Sequence, residues 1–333
     1  EKNRPPIGKI YNMSGMWIDV VLCLIAVGLL YLSAEALVGG STRLAKALGV
    51  PALVVGLTVV AFGTSAPELV VSLLAASRDQ IPISLGNIIG SNVANIGLII
   101  GLVSLFRPMP ANPALLRRDL PVLCGTMALY FALAYTGSIG RPQGALLFLG
   151  IIAYSTLLTR QAIRQANPKK IPAVVTGERS VAGNRFRDGA LVVAGLGGLV
   201  LAGHLLVTSA TGVARALGMS EWVIGVTLVA LGTSIPEIAT SFVAVFRGHP
   251  DIALGNAIGS NIFNVLLVQG VVSLYRPVPI SSSLLLFEFP LMLGLSLFLF
   301  LMLRIRPRVG RWQGVLLLLA YLGFIWVKVL NPA

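Results

Sequence analysis

Two short motifs each place a single carboxylate inside a long apolar segment. The first reads Gly-Thr-Ser-Ala-Pro-Glu and ends at Glu68, and the second reads Gly-Thr-Ser-Ile-Pro-Glu and ends at Glu237. A charged side chain in membrane hydrocarbon costs about 3 kcal/mol by insertion scales, so such residues are rare and mostly functional. Two glutamates in matching motifs call for one common explanation, and paired carboxylates suit cation binding or acid–base chemistry.

The residues around each glutamate predict that a membrane-spanning segment breaks and restarts. A serine three residues before the glutamate has the spacing of a helix capping box, and the intervening proline suits a first helical turn. Such a break frees upstream carbonyl groups, including those of Ala61 and Ala230, and is tolerated only where the backbone lines a cavity or is buried in protein. Thr64 and Ser65 lie about one helical turn before Glu68, so their hydroxyl groups can approach its carboxylate. The alternative is that each glutamate merely caps its own half-helix.

A ten-residue polar stripe also occurs twice. Residues 86–95 read GNIIGSNVAN and residues 255–264 read GNAIGSNIFN. Steps of four residues place polar side chains on one helix face, beside a second face of small residues. The small face is expected to pack helices together, and Asn92 and Asn261 can also act in that packing. The polar face is predicted to supply neutral oxygen ligands, which are Ser91, Asn95, Ser260 and Asn264.

Carboxylates, hydroxyl groups, amide oxygens and freed carbonyls together make an all-oxygen site. Hard cations prefer such ligands, and Ca²⁺ takes about 6–8 oxygens at ~2.3–2.6 Å. The sequence has no histidine–cysteine cluster that would favour a transition metal, since His204 and His249 stand alone. Two carboxylates match the charge of one divalent ion or of two monovalent ions. A site that is neutralised either by one divalent ion or by two monovalent ions can exchange these ions for each other. Without any bound ion the site keeps its charge, so it does not readily cross the membrane.

The composition is that of a polytopic membrane protein. The chain has 333 residues, of which 56% are hydrophobic and 11% charged, whereas soluble domains have about 25% charged residues. Its net charge of +13 does not indicate nucleic-acid binding, because the basic residues lie in short connections between apolar runs. Cys23 and Cys124 lie inside apolar runs and are predicted to be buried hydrophobic residues, not a disulfide or a metal pair.

Ten apolar runs have approximately the length of a membrane-spanning helix, which needs about 20 residues. The predicted spans are 17–38, 50–77, 82–106, 120–136, 143–159, 189–208, 221–246, 251–275, 284–303 and 312–330.

A shift of 169 residues aligns the two halves of the chain, placing Glu68 on Glu237 and Asn95 on Asn264. Five spans in each half is an odd number, so the halves enter the membrane from opposite sides as an inverted repeat. Secondary transporters have this architecture, with sites near the membrane midplane between the repeats. The predicted fold is therefore all-α, with ten transmembrane helices in two inverted five-helix repeats. Its predicted parts are an N-terminal extramembrane segment 1–16, repeats 17–159 and 189–333, and a cytoplasmic linker 160–188.

The distribution of basic residues predicts the orientation. Eight of the 25 lysines and arginines lie on the side of the N terminus, and the remaining 17 lie on the other side. Since positive residues stay in the cytoplasm, both termini are expected outside a bacterial inner membrane, with the lipid bilayer as a partner.

At this point the motifs match a family. GTSAPE with GNIIGSNVAN, and GTSIPE with GNAIGSNIFN, resemble the paired repeats of the Ca²⁺/cation antiporter superfamily, specifically its bacterial sodium/calcium exchanger branch. The resemblance implies a ten-helix antiporter that exchanges Ca²⁺ for Na⁺ by alternating access, in which the first and sixth helices slide across the rest. It implies that no cofactor is needed beyond the transported ions. It also implies that a monomer is sufficient for transport, although the protein can be an oligomer.

The resemblance also implies a ligand set. Glu68 and Glu237 are the central ligands by position in the family motif. The hydroxyl, amide and carbonyl ligands that the resemblance adds are Thr64, Ser65, Thr233, Ser234, Ser91, Asn95, Ser260, Ala61 and Ala230.

One departure from the family pattern affects the coupling ion. Well-known sodium/calcium exchangers resemble this chain but have an aspartate where it has Asn264. The missing carboxylate favours a different stoichiometry, or an antiporter of H⁺ and Ca²⁺ or another divalent cation. Members of the proton-coupled branch, however, have an asparagine just before the glutamate, whereas this chain keeps Thr-Ser-x-Pro-Glu, so sodium remains the prediction.

Two other classes of function compete with an antiporter. A cation channel is usually built around a pore from several subunits, and an inverted repeat within one chain fits transport better. An intramembrane enzyme could use two carboxylates as a dyad or a metal site, but neither motif contains an apparent nucleophile–base pair. The chain is therefore predicted not to be an enzyme.

Three further acids are predicted to have structural roles. Glu35 is expected at the end of the first span near Arg43 and Lys46. Asp119 and Glu288 begin matching helices, where an acid is favoured by the helix dipole.

Overall fold

The computed structural model describes residues 13–165, 185–219 and 232–330. Within them lie ten helices, one at the position of each predicted span. They are α1 Met13–Leu48, α2 Ala52–Ser77, α3 Ile81–Phe106, α4 Leu120–Ala134, α5 Arg141–Gln165, α6 Arg185–Ala216, α7 Ile235–Phe246, α8 Pro250–Tyr275, α9 Ser282–Ile305 and α10 Arg311–Leu330.

Seven of the described helices are long and apolar enough to cross a membrane, namely α1, α2, α3, α5, α6, α8 and α9. The shorter α7 is also apolar, and the part of its predicted span before Gly232 lies outside the described residues. The prediction of a mostly helical protein with many apolar helices is confirmed.

Two helices extend well beyond the spans predicted from hydropathy. The first was predicted over 17–38 and the sixth over 189–208, yet α1 and α6 continue through charged residues at one end. There the guanidinium of Arg43 in α1 donates a hydrogen bond of 2.7 Å to the carboxylate of Asp188 in α6. Apolar character marks only the membrane-embedded part of a helix, because the helix itself continues as long as packing and ion pairs support it.

Several helices are not regular along their length. Turns of π-helix interrupt α2 at Gly56–Val60, α3 at Asn95–Ile100 and α8 at Asn264–Gln269, and another, Leu115–Asp119, leads into α4. Such turns are rare and frequently occur at functional sites. In α3 and α8 the π-helical turn begins at the last asparagine of each polar stripe.

The helices differ strongly in burial. Among the 18 most apolar consecutive residues of each helix, 78% are buried in α3 and 83% in α8, against 22% in α1 and 28% in α6. The centre of the bundle is tightly packed, since a Cβ atom added at Gly255 of α8 would lie 3.0 Å from the carbonyl oxygen of Leu53 in α2. The long helices α1 and α6 pack mainly against each other on the outside of this centre.

Four two-residue strands, which an all-α prediction does not contain, connect the halves. Strand β1 Met109–Pro110 pairs antiparallel with β4 Arg308–Val309, and β2 Ser138–Ile139 pairs antiparallel with β3 Val278–Pro279. The helices before β1 and β3 end at an arginine followed by proline, which disfavours helical backbone at the preceding residue.

Candidate cation-binding site

The two glutamates occupy equivalent backbone positions in α2 and α7. Each lies in a first helical turn with a proline, directly after a distorted serine: Ser65 has φ −83° and ψ 1°, and Ser234 has φ −87° and ψ 0°. Both glutamate side chains are fully buried, with 0% exposure. The distortion at the serine carries each carboxylate into the protein interior.

The serines of the two motifs do not cap their helices. Neither Ser65 nor Ser234 makes a side-chain capping hydrogen bond. The Ser65 hydroxyl has no hydrogen-bond partner within the described residues, and the Ser234 hydroxyl lies 3.4 Å from that of Ser91. These hydroxyl groups therefore do not bond to the backbone N–H groups at the helix ends.

Each carboxylate has one oxygen in contact with its own half and one without a partner. The hydroxyl of Ser91 donates to Oε1 of Glu68 at 3.3 Å, and the hydroxyl of Ser260 donates to Oε1 of Glu237 at 3.4 Å. In the described part of the chain, Oε2 of both glutamates is buried without a hydrogen-bond partner. The Thr233 hydroxyl of the opposite motif lies near the Glu68 carboxylate, and the Thr64 hydroxyl lies near that of Glu237.

The threonines of the motifs join the halves to each other. Thr64 lies 3.4 Å from the hydroxyl of Ser260 and donates to Oδ1 of Asn256 at 3.0 Å. Reciprocally, the half-buried Thr233 donates to Oδ1 of Asn87 at 3.0 Å. The predicted meeting of the two motifs therefore occurs in the structure.

Sequence reasoning missed Asn87 and Asn256 as parts of the site. The side-chain amide of Asn87 donates to the carbonyl oxygen of Glu68 at 3.1 Å and to the Ser72 hydroxyl at 2.9 Å. Asn256 donates in the same way to Glu237, at 3.5 Å, and to Ser241, at 3.3 Å. Both asparagines precede a predicted ligand serine by four residues, and this spacing was the signal that could have identified them.

The last asparagines of the two stripes differ in their contacts. Asn95 donates to Oδ1 of Asn261 at 2.9 Å, which leaves its own Oδ1 without a partner. Asn264 is fully buried, and neither its amide nitrogen nor its oxygen has a hydrogen-bond partner within the described residues. Asn261 is engaged in packing, since it donates in turn to the carbonyl oxygen of Asn92 at 3.1 Å.

The expectation that a helix break frees the carbonyl of Ala61 is wrong. This carbonyl oxygen accepts a hydrogen bond from the backbone N–H of Ser65 at 3.0 Å. The backbone N–H of Leu69 donates in turn to the carbonyl oxygen of Ser65 at 3.2 Å. The helix is distorted at one residue without losing these bonds, and the Thr64 hydroxyl also donates to the Ala61 carbonyl oxygen at 3.5 Å. Ala230 lies outside the described residues.

The two central carboxyl groups have no basic partner among the described residues. Three other buried acids have basic partners, because Asp119 pairs with Arg118, Asp188 with Arg43 and Glu288 with Lys328. Among the described residues, no lysine, arginine or histidine pairs with Glu68 or Glu237. A buried charge without a partner costs several kcal/mol, and a cation bound among these oxygens removes that cost.

Comparison with known proteins identifies the family of the chain. The family model described as sodium/calcium exchanger protein matches the chain twice, over residues 18–160 and 189–330. The chain belongs to the sodium/calcium exchanger family. It is 35% identical to the inner membrane protein YrbG of Escherichia coli K12 over 325 residues, which cover 95% of this chain and 97% of YrbG. It is 31% identical to the sodium/calcium exchanger MaX1 of Methanosarcina acetivorans over 345 residues, which cover 93% of this chain and 99% of MaX1.

A solved exchanger shares the fold as well. The sodium-calcium exchanger NCX_Mj, soaked without Na⁺ and Ca²⁺, superposes with a TM-score of 0.81 at 30% identity, covering 95% of this chain and 100% of NCX_Mj. The prediction of the family is therefore confirmed. This sodium/calcium exchanger family member is a multi-pass membrane protein from a family of cation-exchange transporters, which is not a class of enzymes.

Proposed function

We propose that this protein exchanges Ca²⁺ for Na⁺ across the membrane by alternating access, at a site built on Glu68 and Glu237. The observation that carries the proposal is the pair of fully buried carboxylates that have no basic partner among the described residues, each with one unpartnered oxygen. Hydroxyl and amide groups from both halves surround them. An all-oxygen set with two negative charges suits a hard divalent cation.

The proposed architecture is ten membrane spans in two inverted five-helix repeats. Three observations support it: the 169-residue shift that aligns the halves, the two separate matches to one family model, and the reciprocal contacts of Thr64 and Thr233. The same arrangement suggests a cytoplasmic linker between the repeats, both termini outside a bacterial inner membrane, and a monomer as the transporting unit.

The proposed mechanism uses the charge balance of the site. Ca²⁺ would be held by the carboxylates of Glu68 and Glu237 and by the hydroxyl groups of Thr64, Ser91 and Ser260. Once loaded, the site is neutral and can be closed off in a low-dielectric interior, whereas two ionised carboxylates without an ion would be costly there. Movement of the α1–α6 pair, which packs outside the central helices, would then change the side from which the site is reached.

The decisive experiment is ⁴⁵Ca²⁺ uptake into proteoliposomes under imposed gradients. An outward Na⁺ gradient should drive saturable Ca²⁺ uptake, and an outward proton gradient of the same size should not. Uptake driven only by the proton gradient would identify an H⁺/Ca²⁺ antiporter instead. Uptake independent of both gradients, with single-channel currents, would show a channel and refute the proposal.

The matched control for the glutamates is an acid outside the site. Asp79 lies in the turn between α2 and α3, is 70% exposed and pairs with Arg276. It has a positive φ of 64°, which asparagine tolerates. Asp79→Asn therefore makes the same acid-to-amide change as Glu68→Gln, and it should leave Ca²⁺ uptake close to the unmodified rate.

A further inference from the structure

A groove lies between α9 and α10, close to the turn that joins these two helices. It encloses about 400 Å³, which is within the range of small-ligand pockets, ~300–1,000 Å³. Arg306, which is exposed, lines the groove. The rest of its lining is mainly apolar and includes Phe298, Leu301, Met302, Leu316 and Trp312. The groove therefore combines a hydrocarbon-like interior with a cationic group.

The turn that joins α9 to α10 is strongly basic. Residues 304–311 read RIRPRVGR, with four arginines and no acid. The guanidinium of Arg311 donates to the carbonyl oxygen of Leu105 at 3.0 Å. The other three arginines are exposed and have no acidic partner in the described part of the chain, namely Arg304, Arg306 and Arg308. Three positive charges beside the groove are therefore available to an anion.

The matching turn of the first half is not basic. It joins α4 to α5, and residues 134–141 read AYTGSIGR, with one arginine against four. Ser138 begins strand β2 where Arg308 begins strand β4, so the strand pairing does not require the arginines. The orientation of the chain explains an excess of arginine on one side of the membrane, but it does not explain an apolar groove beside the arginines.

The groove has the surroundings of a membrane interface. Helix α9 is long and apolar enough to cross a membrane, and a basic helix end marks the boundary between hydrocarbon and water. Trp312 is 66% exposed, and tryptophan prefers the headgroup level of a bilayer, where its ring is in apolar surroundings and its N–H meets polar groups. A ligand in this groove therefore has its apolar part in hydrocarbon and its polar part at the headgroups.

We propose that this groove binds an anionic phospholipid, with an acyl chain against Leu301, Met302 and Leu316 and the phosphate facing Arg306. Basic pockets between transmembrane helices on the cytoplasmic side bind anionic headgroups, and the planar guanidinium group of arginine suits phosphate because it forms two parallel hydrogen bonds. In the proposed orientation the α9–α10 turn lies in the cytoplasm, so the inner leaflet supplies the lipid. The inference does not depend on ion exchange.

Quenching of Trp312 fluorescence by lipids with brominated acyl chains tests this site. The protein is placed in bilayers that contain brominated phosphatidylglycerol, which is anionic, or brominated phosphatidylcholine, which has no net charge. Because the sequence contains four tryptophans, the signal of Trp312 is the quenching that Trp312→Phe loses. The apparent affinity at Trp312 should be at least about fivefold higher for phosphatidylglycerol, which corresponds to about 1 kcal/mol. Equal affinity for the two lipids would overturn the inference.

Arg306→Gln and Arg141→Gln form a matched pair of variants. Both remove an exposed arginine at a turn between two helices, but Arg141 lies in the first half, at the start of α5. Arg306→Gln should lower the affinity for phosphatidylglycerol about fivefold and leave that for phosphatidylcholine unchanged, whereas Arg141→Gln should change neither affinity. A preference that survives Arg306→Gln, or that falls equally in both variants, would show diffuse surface attraction and contradict a site in the groove.

Two other occupants give different results in the same assay. Glycerol 3-phosphate has the headgroup charge without an acyl chain, so an excess of it should not restore the fluorescence, and restoration would show a site for soluble phosphates instead. A second copy of the chain on this face would shield Trp312 from both lipids, increasingly so at a higher ratio of protein to lipid, and would also overturn the inference. Because no outcome involves Ca²⁺ flux, failure here leaves the proposed exchange function intact.

Discussion

The two halves of the chain agree closely around the glutamates and differ at the ends of the helices. At the centre, Ser91 contacts Glu68 as Ser260 contacts Glu237, and the distances, 3.3 Å and 3.4 Å, are almost equal. The motif threonine of each half bonds to an asparagine of the other at 3.0 Å. Both halves complete one site, and this shared task requires the same geometry from each.

Away from the centre the matching positions have different partners. Glu35, which was expected at the end of the first span near Arg43 and Lys46, lies within α1 and pairs with Arg247 after α7. Arg43 is bonded to Asp188 instead. The positions related to Glu35 and Arg247 by the 169-residue shift are His204 and Arg78, which cannot form the same acid–base pair.

The acids that begin the fourth and ninth helices also differ. Asp119 pairs with its neighbour Arg118 at 2.6 Å, whereas Glu288 pairs with Lys328 of α10. As predicted, Asp119 directly precedes the helix Leu120–Ala134 and Glu288 lies in the first turn of the segment Glu288–Ile305, and neither shows a side-chain capping bond. The two halves therefore repeat the backbone geometry and the contacts around the glutamates, while the ion pairs of their charged residues differ.

The largest effect is expected when either central glutamate loses its charge, which tests whether the two halves contribute equally. Glu68→Gln and Glu237→Gln should each reduce Na⁺-driven ⁴⁵Ca²⁺ uptake by at least ~100-fold, because leaving a buried charge without its partner costs about 3–5 kcal/mol. The control is Asp79→Asn. Substantial uptake by only one of the two glutamine variants would show that the halves contribute unequally to the site.

A smaller test concerns the asparagines that hold the glutamate helices. Asn87→Ala should raise the Ca²⁺ concentration for half-maximal uptake about tenfold, because buried partners left unsatisfied cost about 1–3 kcal/mol. Asn256→Ala should have a weaker effect, since its bond to the glutamate carbonyl is longer, 3.5 Å against 3.1 Å. Equal effects of the two variants would mean that these distances do not control positioning.

A third test makes the halves more alike. The side-chain oxygen of Gln269 in α8 accepts a hydrogen bond from the Tyr130 hydroxyl at 2.7 Å, and its side-chain nitrogen donates one to the Ser273 hydroxyl at 2.7 Å. The matching position in the first half is Ile100. Gln269→Ile should destabilise the protein by about 1–3 kcal/mol, because the buried Tyr130 hydroxyl loses its partner. Thermal unfolding in detergent measures this effect, and adding Tyr130→Phe should recover part of the loss. No recovery would indicate that the hydrogen bond is not the source of the stability.

The smallest effect is expected at the ion pair found in only one half. Glu35→Gln breaks the contact with Arg247, which is 55% exposed. Exposed ion pairs contribute little and are screened by salt, so the rate of Ca²⁺ uptake should change by less than about twofold, and less at 1 M salt than at low salt. A loss as large as that of Glu68→Gln would give this pair a direct role in transport.

Much of this protein was predictable from local pattern. The apolar runs located all ten helices, because burial in lipid demands long apolar segments. The repeated motifs singled out Glu68, Glu237, Ser91 and Ser260, because a carboxylate in such surroundings is costly and helical spacing assigns its neighbours to one face. The structure brings each serine into contact with its glutamate, and their role as ion ligands remains a prediction. Ion selectivity and the positions of the termini relative to the membrane remain predictions.

Only the tertiary structure decided which groups meet across the halves. The contacts of Thr64 with Asn256 and of Thr233 with Asn87 join residues 192 and 146 positions apart, and no local spacing encodes them. The occupied carbonyl of Ala61 and the unpartnered amide of Asn264 are likewise invisible in sequence. Whether a polar atom has a partner depends on which helices pack against it, and that arrangement exists only once the whole chain has folded.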